Sequence, residues 1–347
     1  MSPEATEAAV QTRKDFISDQ DVRWCPGCGD YAILATMQNV LPKFKIPREK
    51  YVFVSGIGCS SRFPYYMETF GFHTIHGRAP AIATGLKVQR PDLSVWVVTG
   101  DGDGLSIGGN HLIHALRRNV DIKILLFNNR LYGLTKGQYS PTSEFGKKTK
   151  SSPFGSIDYP LHPIAVALGA EATFVARTSD TDIKHMTEVF EAAGAHQGSA
   201  FVEIYQNCVI FNDNAFKEID DKRTREEFGL KLVDGQPMIF GRNRDQGIRV
   251  ENGKPKTVRF DPAAPPSDLL IHHVHETDMS VANMLARMDL PEFPVPLGVF
   301  RSVEKPSYEM LVQGQVEEVI AKQGPGNLEK LLQGGETWTV HPEPRAS

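Results

Sequence analysis

Four cysteines in 347 residues are too few for a disulfide scaffold. Long apolar runs are also lacking. Stretches such as Ser94–Thr99 and Ile122–Phe127 fall far short of the ~20 residues a membrane helix needs. Neither sign of charge dominates: 38 Lys and Arg against 42 Asp and Glu leave a net charge of -4. So mild a balance gives no support to a nucleic-acid or anionic-membrane partner. The N-terminus, MSPEATEAAVQTRKDF, has no apolar stretch behind its charges, so no signal peptide is visible and a cytoplasmic location is expected. What is present is ordinary globular composition, 40% hydrophobic and 23% charged, enough for a sizeable core. The length suits one large domain, or one domain plus an appendage.

Residues 1–20 are polar and are expected to form a loose arm. From about residue 50 the pattern alternates. Tyr51–Ser55, Ser94–Thr99, Ile122–Phe127, Ala172–Ala176 and Phe201–Tyr205 are short and rich in branched or aromatic side chains, and read as buried strands. Tyr31–Leu41, Pro80–Gln89, Ser106–Arg118 and Asp180–His196 carry helical spacing. This predicts an α/β fold with a mostly parallel sheet covered by helices on both faces. Ligands bind at the carboxyl ends of such strands. Here those ends carry Gly56-Ile57-Gly58-Cys59, Gly100-Asp101-Gly102-Asp103, Asn128-Asn129 and Gln206-Asn207-Cys208. After about residue 215 the alternation fades. Residues 216–228 are charged, 235–260 suggest short strands with Gly and Asn turns, and proline becomes frequent from Pro262 to Pro296. The expected division is an arm (1–20), a main domain (21–229) and a C-terminal extension (230–347).

Two constellations carry chemistry. In the first, a strand ends in Gly-Asp-Gly and the next in Asn-Asn. Mg²⁺ is a hard cation that prefers oxygen and an octahedron. The Asp101 carboxylate, the Asn129 amide oxygen and a nearby backbone carbonyl supply three ligands, leaving room for diphosphate oxygens and water. Gly100 and Gly102 permit close backbone approach to phosphate, and the following helix offers free N–H groups. This segment resembles the GDG…NN signature of thiamine-dependent enzymes. The resemblance implies Mg²⁺ held by Asp101, Asn129 and the carbonyl of Leu131, with Gly102, Asp103, Gly133 and Leu134 lining thiamine diphosphate.

The second constellation is Cys25-Pro26-Gly27-Cys28, Cys59 and Cys208. A thioredoxin-like pair normally opens a helix behind a strand, which residues 1–24 do not supply. Structural zinc usually takes two close pairs, and one pair exists here. Iron–sulfur clusters tolerate long spacings, and two buried free thiols beside an incidental pair is the bland alternative. Taken with the thiamine motif, Trp24–Asp30, Gly56–Ser61 and His76–Ala79 resemble, in order, the β subunit of 2-oxoacid:ferredoxin oxidoreductases over roughly residues 20–215.

That resemblance implies a thiamine-diphosphate-binding fold and one [4Fe–4S] cluster on the four cysteines. It also implies thiamine contacts from Ile57, Gly58, Cys59 and Ser60 and from His76, Gly77, Arg78 and Ala79. Tyr132–Thr142 look most like members acting on 2-oxoglutarate. Coenzyme A would take the acyl group, ferredoxin the electrons, and a separate α subunit would supply the pyrimidine-side domain and its glutamate, in an αβ or (αβ)₂ assembly. Pyruvate or another 2-oxoacid is the alternative substrate, and a non-oxidative thiamine lyase with structural zinc the alternative enzyme. A substrate carboxylate needs positive charge, and Arg62 and Lys136 are the candidates. His111 and His114 suit helix packing as well as a diphosphate. His272-His273-Val274-His275-Glu276 lacks the H-E-x-x-H spacing of a zinc site.

Overall fold

The computed structural model describes residues 11–341. Among the described residues are eleven strands: β1 (Tyr51–Ser55), β2 (Phe70–His73), β3 (Ser94–Gly100), β4 (Ile122–Asn128), β5 (Phe174–Ser179), β6 (Ala200–Tyr205), β7 (Gly229–Lys231), β8 (Ile239–Phe240), β9 (Gln246–Glu251), β10 (Lys254–Arg259) and β11 (Val295–Ser302). The main sheet has eight strands in the order β2-β1-β3-β4-β6-β5-β11-β7, parallel except where β11 runs against β5. β8, β9 and β10 form a small antiparallel sheet.

Helices α1 (Asp30–Val40), α2 (Ala79–Gln89), α3 (Asp101–Leu105), α4 (Gly109–Arg117), α5 (Pro163–Gly169) and α6 (Ile183–Ala195) fall between the strands. Successive strand residues point to opposite faces, and both faces are apolar. Val52, Val54, Val95, Val97, Ile124 and Leu126 pack with Ala83 of α2, Leu112 and Leu116 of α4 and Ile164 of α5. Phe53, Trp96, Val98, Leu125 and Phe127 pack with Ile33 and Met37 of α1 and Met186 and Phe190 of α6. This explains why the strands read as continuous apolar runs: each is buried on both sides.

Four expectations are corrected. Among the described residues of the expected arm, 11–20, Phe16 is fully buried and packs edge-on against Tyr51, at 5.7 Å between ring centroids; residues 1–10 lie outside the described residues. The fifth strand begins at Phe174 rather than Ala172, because Glu171 takes a left-handed φ of 59° that turns the chain before it. The region after 230 does not simply lie on the domain, since β11 enters the main sheet between β5 and β7. The chain divides after Glu309, not near 229, into a compact unit ending there and a second beginning at Met310. That second unit contains most of a helix (Tyr308–Gln323) and a short one (Leu328–Leu332).

At the end of the sheet opposite the glycine motifs, Asp121 accepts from Lys87 Nζ at 2.8 Å and Lys123 Nζ at 2.6 Å. Burial raises the Asp121 carboxyl, but the two ammonium groups outweigh it and hold it below its ordinary range. The stability this gives is therefore present above about pH 4 and is lost as acid titrates Asp121 through its lowered value. Asp121→Ala would leave two almost fully buried lysines unpaired. We expect it to cost about 3–5 kcal/mol in a denaturant unfolding experiment at neutral pH.

Candidate functional site

The carboxyl ends of β1, β3, β4 and β6 converge on one narrow cleft. Ile57, Gly58, Cys59, Ser60, His76, Gly100, Asp101, Gly102, Asp103, Asn129, Leu131, Gly133 and Leu134 all line it, as the sequence predicts. The convergence has a physical cause in Asp103. Its Oδ1 accepts from Ile57 N at 3.1 Å and Gly77 N at 2.7 Å, and its Oδ2 from Thr99 Oγ1 at 2.7 Å. Asp103 is therefore a staple for the loops after β1 and β2 as well as a cleft wall.

Asp101 is buried at the start of α3. Burial pushes its carboxyl up to about 6, against hydrogen bonds to Oδ2 from Ser140 Oγ and Thr142 Oγ1, each at 2.6 Å. Asn129 Oδ1 accepts from Leu131 N at 3.2 Å, and its Nδ2 donates to Gln206 Oε1 at 2.9 Å. A buried carboxylate, an amide oxygen and a carbonyl on one wall form a hard-oxygen donor set that fits Mg²⁺. Gly102 has to be glycine here: a Cβ would lie 2.2 Å from the Tyr132 ring, whose hydroxyl donates to Gly102 O at 3.1 Å.

The cysteines gather beside the same cleft, and all four are free thiols. A Cβ on Gly133 would sit 3.5 Å from Cys59 Sγ and 3.9 Å from Cys208 Sγ, so this bare backbone makes room for both. Gln206 Nε2 donates to Cys28 Sγ at 3.2 Å, and Trp24 Nε1 to Cys59 O at 2.7 Å. Burial pushes the Cys59 thiol up to about 11 and Cys28 further, with Asp30 and the neighbouring thiols adding to the effect. Neighbouring sulfurs beside a cleft suit an iron–sulfur centre, whose cationic metal would deprotonate them. Among the described residues no group of three or more His, Cys, Asp or Glu closes around a single-ion position.

Other expected residues stand apart from the cleft wall. Gly77 serves the Asp103 staple, Arg78 Nη1 meets His111 Nε2, and Ala79 is buried as the first residue of α2. His114 also lies off the cleft, on α4. Arg62 Nη1 donates to Arg23 O at 2.6 Å, and Lys136 is exposed at the tip of a turn with φ 74°. His272 and His275 donate to the carbonyls of Val299 and Ser302, both at 2.7 Å, and so tie loop to strand. Reading the sequence missed Asp30 and Gln206. Asp30 is buried on the cleft wall, and burial with the charge of Asp180 pushes it up to about 7. Gln206 bridges Asn129 and Cys28; its signal was its place directly after β6, two residues before Cys208.

The Asp103 staple predicts that Asp103→Ala, which frees two loop N–H groups, lowers stability by about 2–4 kcal/mol in denaturant unfolding, with far-UV circular dichroism unchanged.

Residues 56–204 match the family model for the C-terminal TPP-binding domain of thiamine pyrophosphate enzymes. The 2-oxoglutarate oxidoreductase subunit KorB of Mycobacterium tuberculosis is 54% identical over 338 residues, covering 95% of this chain and 89% of that protein. The 2-oxoacid:ferredoxin oxidoreductase 1 subunit beta of Aeropyrum pernix is 47% identical over 209 residues, 60% of this chain and 64% of its own length. Among solved structures, a chain of the 2-oxoglutarate:ferredoxin oxidoreductase from Magnetococcus marinus, with 2-oxoglutarate, coenzyme A and succinyl-CoA bound, matches with a TM-score of 0.75. It is 32% identical, and the match covers 95% of this chain and 98% of that one. With the GDG…NN cleft and its adjoining thiols, these similarities establish that the chain belongs to the β subunits of the 2-oxoacid:ferredoxin oxidoreductases.

Proposed function

We propose that this chain is the β subunit of a 2-oxoglutarate:ferredoxin oxidoreductase. The enzyme converts 2-oxoglutarate and coenzyme A to succinyl-CoA and CO₂, and passes two electrons singly to ferredoxin. The reaction is reversible and also serves as 2-oxoglutarate synthesis. The observation that carries the reading is the wall shared by the two sites: Cys59 lines the cleft of Asp101 and Asn129, and its sulfur meets Gly133 beside that of Cys208. The choice of 2-oxoglutarate rests on similarity to KorB and to the M. marinus enzyme with that substrate bound.

Thiamine diphosphate supplies the electron sink for loss of CO₂. The chain's own residues do the rest. Asp101, Asn129 and the Leu131 carbonyl would hold Mg²⁺ on the diphosphate, and Gly100, Gly102 and Gly133 keep the backbone open to it. Cys25, Cys28, Cys59 and Cys208 would hold a [4Fe–4S] cluster at the edge of the cleft. Lys136 sits at the tip of the turn whose stem, Gly133 to Thr135, lines the cleft, which suits it to a substrate carboxylate. Arg62, held on Arg23 O, suits that role less well.

No activating glutamate for the pyrimidine ring is apparent in the cleft wall, and we assign it to the α subunit. The exposed Ile75 and Ile107 flank the loops that form the cleft and offer an apolar seat for that subunit. Among the described residues no helix is long and apolar enough to cross a membrane, and we expect the enzyme in the cytoplasm.

Anaerobic low-temperature EPR of the co-purified α and β chains tests the reading. An organic radical with 2-oxoglutarate, followed by a reduced-cluster signal on adding coenzyme A, is expected. Response to pyruvate instead would change the substrate. A preparation holding zinc in place of iron, and silent with every 2-oxoacid, would sink the oxidoreductase reading. Separately, Asp101→Ala is expected to abolish thiamine diphosphate retention while leaving the iron content near normal; tight retention would refute the metal assignment.

A further inference from the structure

Behind Asp101 a line of buried polar groups runs across the sheet to the C-terminal strand. The Thr142 hydroxyl that donates to Asp101 Oδ2 also lies 3.0 Å from Asn128 Oδ1, which accepts from Arg130 N at 3.1 Å. On its other side Asn128 Nδ2 donates to Glu203 Oε1 at 2.7 Å. Glu203 Oε2 receives Arg177 Nε at 2.7 Å. Arg177 in turn donates through Nη1 to Pro296 O at 3.2 Å, and its guanidinium lies 5.4 Å from the Phe300 ring centroid. Thr142, Asn128, Glu203 and Arg177 are each at most 4% exposed. Pro296 and Phe300 belong to β11, the strand that the region after 230 inserts into the sheet.

The line has a direction. A carboxylate only accepts, so Glu203 forces the Asn128 amide to turn Nδ2 toward it. Oδ1 is then left facing Arg130 N and Thr142. The bond from Arg130 N closes a turn over residues 128–130, in which Arg130 has a left-handed φ of 58°. That turn carries Asn129 and leads into Leu131. The Thr142 hydroxyl has one proton and three oxygens before it, and its shortest bond is to Asp101 Oδ2, against 3.0 Å to Asn128 Oδ1 and 3.2 Å to Ser140 Oγ. Asn129 and Leu131 are thus positioned by one amide whose orientation Glu203 fixes, and Asp101 is held by the Thr142 and Ser140 hydroxyls beside that amide. Arg177 makes the buried Glu203 charge tolerable, and β11 holds Arg177.

We propose that Glu203 is a positioning residue for the metal–diphosphate site, and that the C-terminal strand β11 supports that site through Arg177. This rests on the assignment of Asp101, Asn129 and Leu131 to Mg²⁺. Outer partners of metal ligands commonly set metal affinity by roughly 10–100-fold.

The test is titration of the cofactor-stripped αβ complex with thiamine diphosphate at a series of Mg²⁺ concentrations, followed by protein fluorescence. Glu203→Gln should raise the Mg²⁺ concentration for half-maximal binding by roughly 10–100-fold, and the rate at saturating Mg²⁺ and cofactor should fall much less. Glu203→Gln leaves Arg177 without its charge partner and is exposed to misfolding, so Thr142→Val gives a second variant that keeps the Glu203–Arg177 pair intact. It should weaken Mg²⁺ affinity in the same way, and Thr142→Ser should restore most of the loss. Wild-type Mg²⁺ affinity in folded Thr142→Val and Glu203→Gln complexes, with Asp101→Ala still failing to bind, would overturn the positioning role alone. Retained affinity in Asp101→Ala would overturn the metal assignment and the positioning role together.

Discussion

A single buried carboxylate holds the site together. Asp103 receives the backbone N–H groups of Ile57 and Gly77 and the hydroxyl of Thr99, so the chain leaving β1, the chain leaving β2 and the end of β3 are tied to one side chain. Parallel strands deliver loops to a common edge, but they do not fix how the loops lie on each other. A buried acceptor that must be satisfied by donors from separate loops does fix it, because an unmet partner costs more than any alternative placement returns. The cleft has its shape because these loops have little freedom to take another.

On that frame, two chemically unlike donor sets share a boundary. Hard oxygens come from the chain after β3 and β4 and soft sulfurs from the chain after β1, after β6 and before α1, with Gly133 against two of the sulfurs and Gln206 bonded to both sets. Gln206 presents its oxygen to Asn129 and its nitrogen to Cys28, so one amide is committed to both sets at once. Trp24 clamps the segment carrying Cys25 and Cys28 onto the carbonyl of Cys59. Rigid spacing between the two donor sets is thus built from ordinary hydrogen bonds across strand ends.

Much of this was legible in the sequence. Tyr51–Ser55 was read to the residue, because a five-residue apolar run ending at glycine has few other meanings in a parallel sheet. The strand-end glycines, aspartates and asparagines of the cleft were conspicuous in the sequence, whereas His76, Leu131, Gly133 and Leu134 were named only through the family resemblance. β2 was missed because Phe-Gly-Phe-His is short, contains glycine and is exposed along its length. β11 was missed because Pro296 and Gly298 look like breakers; the strand tolerates them beside the short β7 and at a register shift near Arg301. Phe16 was lost among charged neighbours, since one buried aromatic leaves no periodicity. Arg62 and Arg78 were assigned by motif position, but a long side chain points where its nearest acceptor lies, which spacing does not record.

The two edges of the sheet end differently. The β5 edge is closed by β11 and β7, whereas β2 forms the other edge and pairs only with β1, with all four of its residues exposed, Phe70 at 64%. It carries no proline, lysine or bulge to discourage another strand from joining it. Uncovered, β2 is a short, aromatic template on which a further strand could add, so this edge is where the sheet is open to another chain.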